Sequence, residues 1–108
     1  MPVEAILDTM VDCSFRVVEY QGQKPVRNAD GMRLGPFGME VRSDRLPPNR
    51  FAWMGFDLPG GRHVKALAEV VGVLADEDAR DRVIVRFKHV FPNDRLVMSD
   101  FFQARAAA

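Results

Sequence analysis

The sequence is poor in the residues that build covalent or metal-centred chemistry. It holds one cysteine, Cys13, and two histidines, His63 and His89, among 108 residues. A lone cysteine forms no internal disulfide, and a zinc site needs three or four ligands. The histidines show no His-x-His or Glu-x-x-His spacing, and Cys13 has no cluster of positive charge beside it to stabilise a thiolate. A reducing cytoplasm, no metal and no cofactor are the expectation. Excess charge is also missing, since 15 basic and 15 acidic residues cancel, so no global field attracts nucleic acid or an anionic membrane. No apolar run approaches the roughly 18 to 20 residues that cross a bilayer. Glu4 and Asp8 interrupt the N-terminal stretch where an export signal needs a basic start and an unbroken apolar segment. Neither nucleic acid nor membrane insertion is therefore expected. Internal repeats and low-complexity tracts are absent apart from the Ala106, Ala107, Ala108 tail.

What is present is an ordinary globular composition, 47% hydrophobic and 28% charged, in a chain long enough for one core and too short for two. The organisation read from it is an N-terminal arm over 1–14, a barrel domain over 15–105 and a tail over 106–108. Within the arm, Ile6, Leu7 and Met10 are apolar enough to seat it on the barrel as a strand, a helix or an unstructured segment.

Strand periodicity dominates the rest. Phe15 to Tyr20 predicts a first strand ending at Gln21, Gly22 and Gln23. Lys24 to Gly31, with Pro25, Asn28, Asp30 and Gly31, predicts a loop. Met32 to Ser43 predicts a second strand interrupted at Gly35, Pro36 and Gly38, and Pro47, Pro48 and Asn49 make the next break. Phe51 to Leu58 is the most aromatic segment and is expected to be well buried, with Ala52, Met54, Phe56 and Leu58 on one face and Phe51 and Trp53 on the other. Pro59, Gly60 and Gly61 turn the chain back into Arg62 to Leu74, which composition allows as helix or strand and which the turn and the β-branched end favour as strand. After a charged loop over 76–81, Val83, Val85 and Phe87 alternate with Arg82, Arg86 and Lys88 in a clear strand. Asn93 or Asp94 then caps a helix to about Arg105, with Leu96, Val97, Phe101 and Phe102 as its apolar stripe. The fold class that follows is mainly β, a small antiparallel barrel whose open end the helix covers.

The run Met32-Arg33-Leu34-Gly35-Pro36-Phe37-Gly38-Met39-Glu40-Val41, then the Trp53 strand, Leu58-Pro59-Gly60-Gly61, an Ala/Val-rich strand and Val83-Ile84-Val85-Arg86-Phe87, resembles the PilZ domain over about Phe15 to Arg105. That resemblance implies a bacterial barrel of the kind that binds cyclic di-GMP through an RxxxR stretch before the first strand and a [D/N]xSxxG stretch. Arginine suits that ligand because it pairs with phosphate and stacks on guanine. Here the second motif falls on Arg33 to Gly38 and keeps only Gly38; Arg33 replaces the acid or amide and Gly35 the serine. Residues 1–14 contain no arginine, and Arg16 has Tyr20 four residues on. Losing two charge-assisted contacts of about 1.5 to 3 kcal/mol each weakens binding by roughly two to four powers of ten.

The resemblance therefore implies a non-catalytic regulatory adaptor that binds a protein partner in motility or surface behaviour, with cyclic di-GMP disfavoured. The alternative is a receptor holding that or a related nucleotide in an altered mode through Arg33, Arg42 and Arg45. Arg33, Phe37, Arg42, Arg45 and Arg50 form the candidate surface for partner or residual ligand. Phe37 is read either as a partner anchor or as packing on the terminal helix. Trp53 with Phe51 and Phe56 suits a stacking platform, though core packing is favoured over it. No acid, base and nucleophile group together in the sequence, which disfavours an enzyme.

Overall fold

The computed structural model describes residues 2–43, 50–74 and 81–107. In chain order the elements are α1 (Val3–Asp8), β1 (Val11–Gln21), β2 (Lys24–Leu34), β3 (Gly38–Ser43), β4 (Phe51–Asp57), β5 (His63–Leu74), β6 (Asp81–Val90) and α2 (Pro92–Ala107). The six strands close into an antiparallel barrel in the order β1-β2-β3-β6-β5-β4, with β1 pairing β2 on one side and β4 on the other. Closure removes every sheet edge and leaves one narrow interior to fill.

Alternation fills it. Val17, Met54, Phe56, Val64, Val83 and Val85 point inward and are buried, each aliphatic or aromatic side chain contributing about 1.5 to 3 kcal/mol by leaving water. The Phe56 ring stacks on Phe87 at 5.7 Å and Phe15 tilts against it at the same distance. Ala66 and Ala68 of β5 are fully buried beside them, because small residues are what fit where a neighbouring wall supplies rings. The expected Pro59 to Gly61 turn joins β4 to β5.

Four readings of the sequence are corrected. Lys24 to Gly31 is strand: Lys24 to Asp30 pair with β1 despite their turn-prone composition, and Asp30 and Gly31 pair with β3 as well, because the hydrogen bonds of the ladder outweigh weak β propensity. Gly31 serves this pairing, since the Phe15 ring lies across it and an added Cβ would sit 2.3 Å from ring carbons. Met32 to Ser43 is two strands, with residues 35–37 as the turn between them. Phe51 to Leu58 buries one face only. Met54, Phe56 and Leu58 are inside, whereas Phe51 is 45% exposed and Trp53 half-buried on the outer surface, so neither belongs to the barrel core.

The fourth concerns α2, which starts at Pro92, a residue preorganised for a first helical turn. Its buried stripe is Val97, Met98, Phe101 and Phe102, and Leu96 points to solvent with 65% exposure. Asp94 reaches back to accept a hydrogen bond from the Lys65 backbone N–H at 3.1 Å, fixing the helix to β5. The helix covers the barrel end formed by the β2–β3 and β4–β5 turns. At the opposite end Glu19 pairs with Arg27 at 3.2 Å. Outside the barrel, α1 seats Ile6, with Met10, on Ile84 of β6. None of the described helices is long and apolar enough to cross a membrane.

Candidate functional site

The strand wall made by β2, β3 and β6 carries two of the five candidate residues, Arg33 and Arg42. Arg33 leaves β2 on its outer face, where its guanidinium donates to the Leu7 carbonyl at 2.9 Å and lies 3.8 Å from Asp12 and 3.7 Å from Glu40. It thereby ties the last turn of α1 to the barrel. Glu40, on β3, is buried although its strand position faces outward. Arg82 of β6 covers it with a two-pronged contact, Nε at 3.2 Å and Nη2 at 3.0 Å. Arg42 follows two residues along β3, opposite Asp30 of β2 and Arg82 of β6. Arginines thus alternate with Asp12, Asp30 and Glu40, and the two adjoining depressions on this wall, about 470 and 550 Å³, share Ser14, Met32 and Arg42 as lining residues. An incoming phosphate meets carboxylates there as well as guanidinium groups.

Gly38, which falls on the last glycine of the motif resemblance, has a packing role. A Cβ at this position would lie 2.2 Å from the Val85 carbonyl oxygen and 2.8 Å from the Ile6 side chain. Its lack of a side chain lets β6 and α1 approach β3. Phe37, in the adjoining turn, is 42% exposed and borders a groove of about 430 Å³ shared with Val90, Met98 and Phe102. Its ring therefore stands beside α2 and open to solvent at once.

Arg50 lies on the far side of the molecule. β3 and β4 are three strands apart around the barrel, so Arg42 and Arg50 do not share a surface, and Phe37 stands at the helix-covered end opposite Arg50. Arg45 falls outside the described residues. Arg50 contacts Glu69, which is 1% exposed and also receives the Arg86 guanidinium, with Nε at 3.1 Å. The hydrogen bonds from Arg86 first, and then Arg50, hold the Glu69 carboxyl below the usual carboxylate range.

The remaining reactive groups are dispersed. Burial, opposed by the Arg105 charge, pushes the Cys13 thiol above its ordinary pKa and disfavours the thiolate. His63 pairs with Asp57 at 2.8 Å, while His89 packs edge-on against Trp53 and Phe91. No group of three potential metal ligands occurs among the described residues. Sequence reading missed Glu40 and Glu69 because their arginine partners lie 42 and 17 residues away, beyond any local spacing rule.

The barrel superimposes on the structure of the Bacillus subtilis inhibitor of motility, MotI/DgrA, a PilZ-fold protein, with a TM-score of 0.74 and 13% sequence identity. The match covers 92% of this chain and 49% of that one, so this chain spans about half the length of that protein. No family model and no curated protein sequence matches it. The six-stranded barrel with its terminal helix is PilZ-like in architecture.

Proposed function

We propose that this chain is a non-catalytic regulatory adaptor of PilZ-like fold, degenerate in the family's messenger motifs, that acts by binding a protein partner. The observation that carries this reading is the use made of Arg33. The guanidinium at the position where the motif resemblance puts a nucleotide ligand is committed to the Leu7 carbonyl and flanked by two carboxylates. A dinucleotide phosphate would have to break that arrangement and would meet the Asp12 and Glu40 carboxylates as well as guanidinium groups. The motility setting is supported by the shared fold with the Bacillus subtilis motility inhibitor. Phe37 and Arg50, both exposed, are proposed as contacts at opposite ends of the barrel, and Arg42 on the wall between β2 and β6.

Isothermal titration with cyclic di-GMP to about 100 µM tests the proposal, since a dissociation constant in the micromolar range corresponds to roughly 8 kcal/mol and gives a saturable curve. Absence of heat is expected. Saturable heat that disappears in Arg33→Ala overturns the adaptor reading in favour of a nucleotide receptor.

A further inference from the structure

The wall made by β1, β4, β5 and β6 turns rings toward water. Tyr20 stands opposite Trp53, Trp53 opposite Leu67, and Leu67 opposite His89. Four neighbouring strands thus place a ring or a leucine at one level on a face where alternation normally sets polar residues. Phe91 stacks on Trp53 at 5.7 Å with ring planes 9° apart, and 48% of it remains exposed. Gly55 lets the face close up, since a Cβ there would lie 2.9 Å from both the His63 and the Tyr20 rings. An apolar patch rich in Trp, Tyr and Phe has the composition of an interaction centre.

Both signs of charge stand beside these rings. The Lys65 ammonium lies 4.4 Å from the centre of the Tyr20 ring and 5.9 Å from that of Trp53, held there by cation–π attraction. Asp57 meets His63 at 2.8 Å with 57% of its side chain exposed, and Asp94 accepts the Lys65 backbone N–H at 3.1 Å. Register fixes the spacing of the two signs. Asp57 pairs across the strands with His63, and Gly55 with Lys65, which makes Asp57 and Lys65 diagonal neighbours about 7 to 8 Å apart. A partner surface of one sign matches either the ammonium or the carboxylates and repels the other. A second copy of the same face matches both. A two-fold axis lying in the face midway between Lys65 and Asp57 exchanges their positions, so each copy sets its Lys65 against Asp57 of the other and the contact forms twice. With 15 basic and 15 acidic residues, no net charge drives two copies apart.

We infer that this face docks the same face of a second copy of the chain in a two-fold dimer. Phe91, Trp53 and Leu67 form the apolar centre, and the two Lys65 to Asp57 contacts beside it fix the register of one copy on the other. The dimer goes beyond the adaptor reading and does not depend on it.

Sedimentation velocity of the whole chain from about 5 to 500 µM is expected to show the mass rising from that of the monomer toward twice it. Trp53 is the sole tryptophan, and its emission should shift to shorter wavelength over the same range as water leaves the face. Lys65→Asp and Asp57→Lys each set like charges against one another at both symmetric contacts, and each should weaken association at least about tenfold. An equimolar mixture of the two variants restores it, because the Lys65→Asp chain offers two carboxylates to the two ammonium groups of the Asp57→Lys chain. A variant that had merely lost its fold would not recover on mixing. Phe91→Ala, at an exposed ring, should weaken association by a similar factor without moving thermal unfolding. A monomer at every concentration, association unchanged in both charge variants, or no recovery on mixing variants that unfold at the wild-type temperature overturns the inference. Where either charge variant melts early, Phe91→Ala decides, and unchanged association in it overturns the inference. Cyclic di-GMP binding, by contrast, bears on the adaptor reading alone.

Discussion

Replacing Glu40 by alanine removes the buried carboxylate that two guanidinium groups share on the β2–β3–β6 wall. Arg82 loses its two hydrogen bonds to Glu40 and Arg33 loses its nearer carboxylate at 3.7 Å. Removing one member of a fully buried ion pair costs about 3 to 5 kcal/mol. The arginine side chains here are 31% and 35% exposed, so water partly replaces the lost contacts and the expected cost falls to about 2 to 3 kcal/mol. For a domain near 100 residues each kcal/mol moves the melting temperature by about 4 to 8 °C, which predicts a drop of roughly 10 to 20 °C. Urea unfolding followed by Trp53 fluorescence and by circular dichroism measures the free energy, and agreement of the two probes checks that the transition is two-state. Glu40→Gln keeps the shape and one acceptor and should lose about half as much. If Glu40→Ala unfolds within about 0.5 kcal/mol of wild type, the pair is worth no more than a solvated surface pair. The argument that this wall neutralises its own arginines then fails.

Two further outcomes are expected. Glu69 has a folded-state pKa below its unfolded value of about 4.3. Its contribution is therefore fully present above about pH 4.3 and is lost as pH falls through the folded value. Melting temperatures of wild type and Glu69→Gln, measured from neutral pH downwards, should differ most near neutrality and converge under acid; parallel curves would rule out the Arg86 and Arg50 clamp as the cause. On α2, Met98→Ala should cost about 2 to 3 kcal/mol, since the side chain is 4% exposed in the core cluster, while Leu96→Ala, 65% exposed, should stay within about 0.5 kcal/mol. Equal losses in denaturant would mean that the helix sits on the barrel by another face.

Much of this architecture was legible because its signals are local. The alternation of Val83, Val85 and Phe87, and of Met54 and Phe56, marks strands whatever they pair with. Pro59-Gly60-Gly61 marks a reversal, and the spacing of Val97, Phe101 and Phe102 marks a helix. β2 was not legible, because its Pro25, Asn28 and Asp30 favour turns in isolation and become strand only when β1 pairs with all three and β3 with Asp30. The placement of Phe51 and Trp53 followed from alternation, but their exposure depended on which face the barrel closed around.

The candidate surface shows the same division. The chain by itself determined that charge is balanced, that residues 1–14 hold no arginine and that the composition suffices for one core, since each depends only on residue identity and composition. Tertiary structure alone decided that Arg42 and Arg50 stand on opposite walls, that Arg33 binds the Leu7 carbonyl, and that Lys65 lies over Tyr20 and Trp53. Local propensity acts over a few residues, whereas the energy of a strand pair, and hence the neighbours of each charge, depends on partners far along the chain.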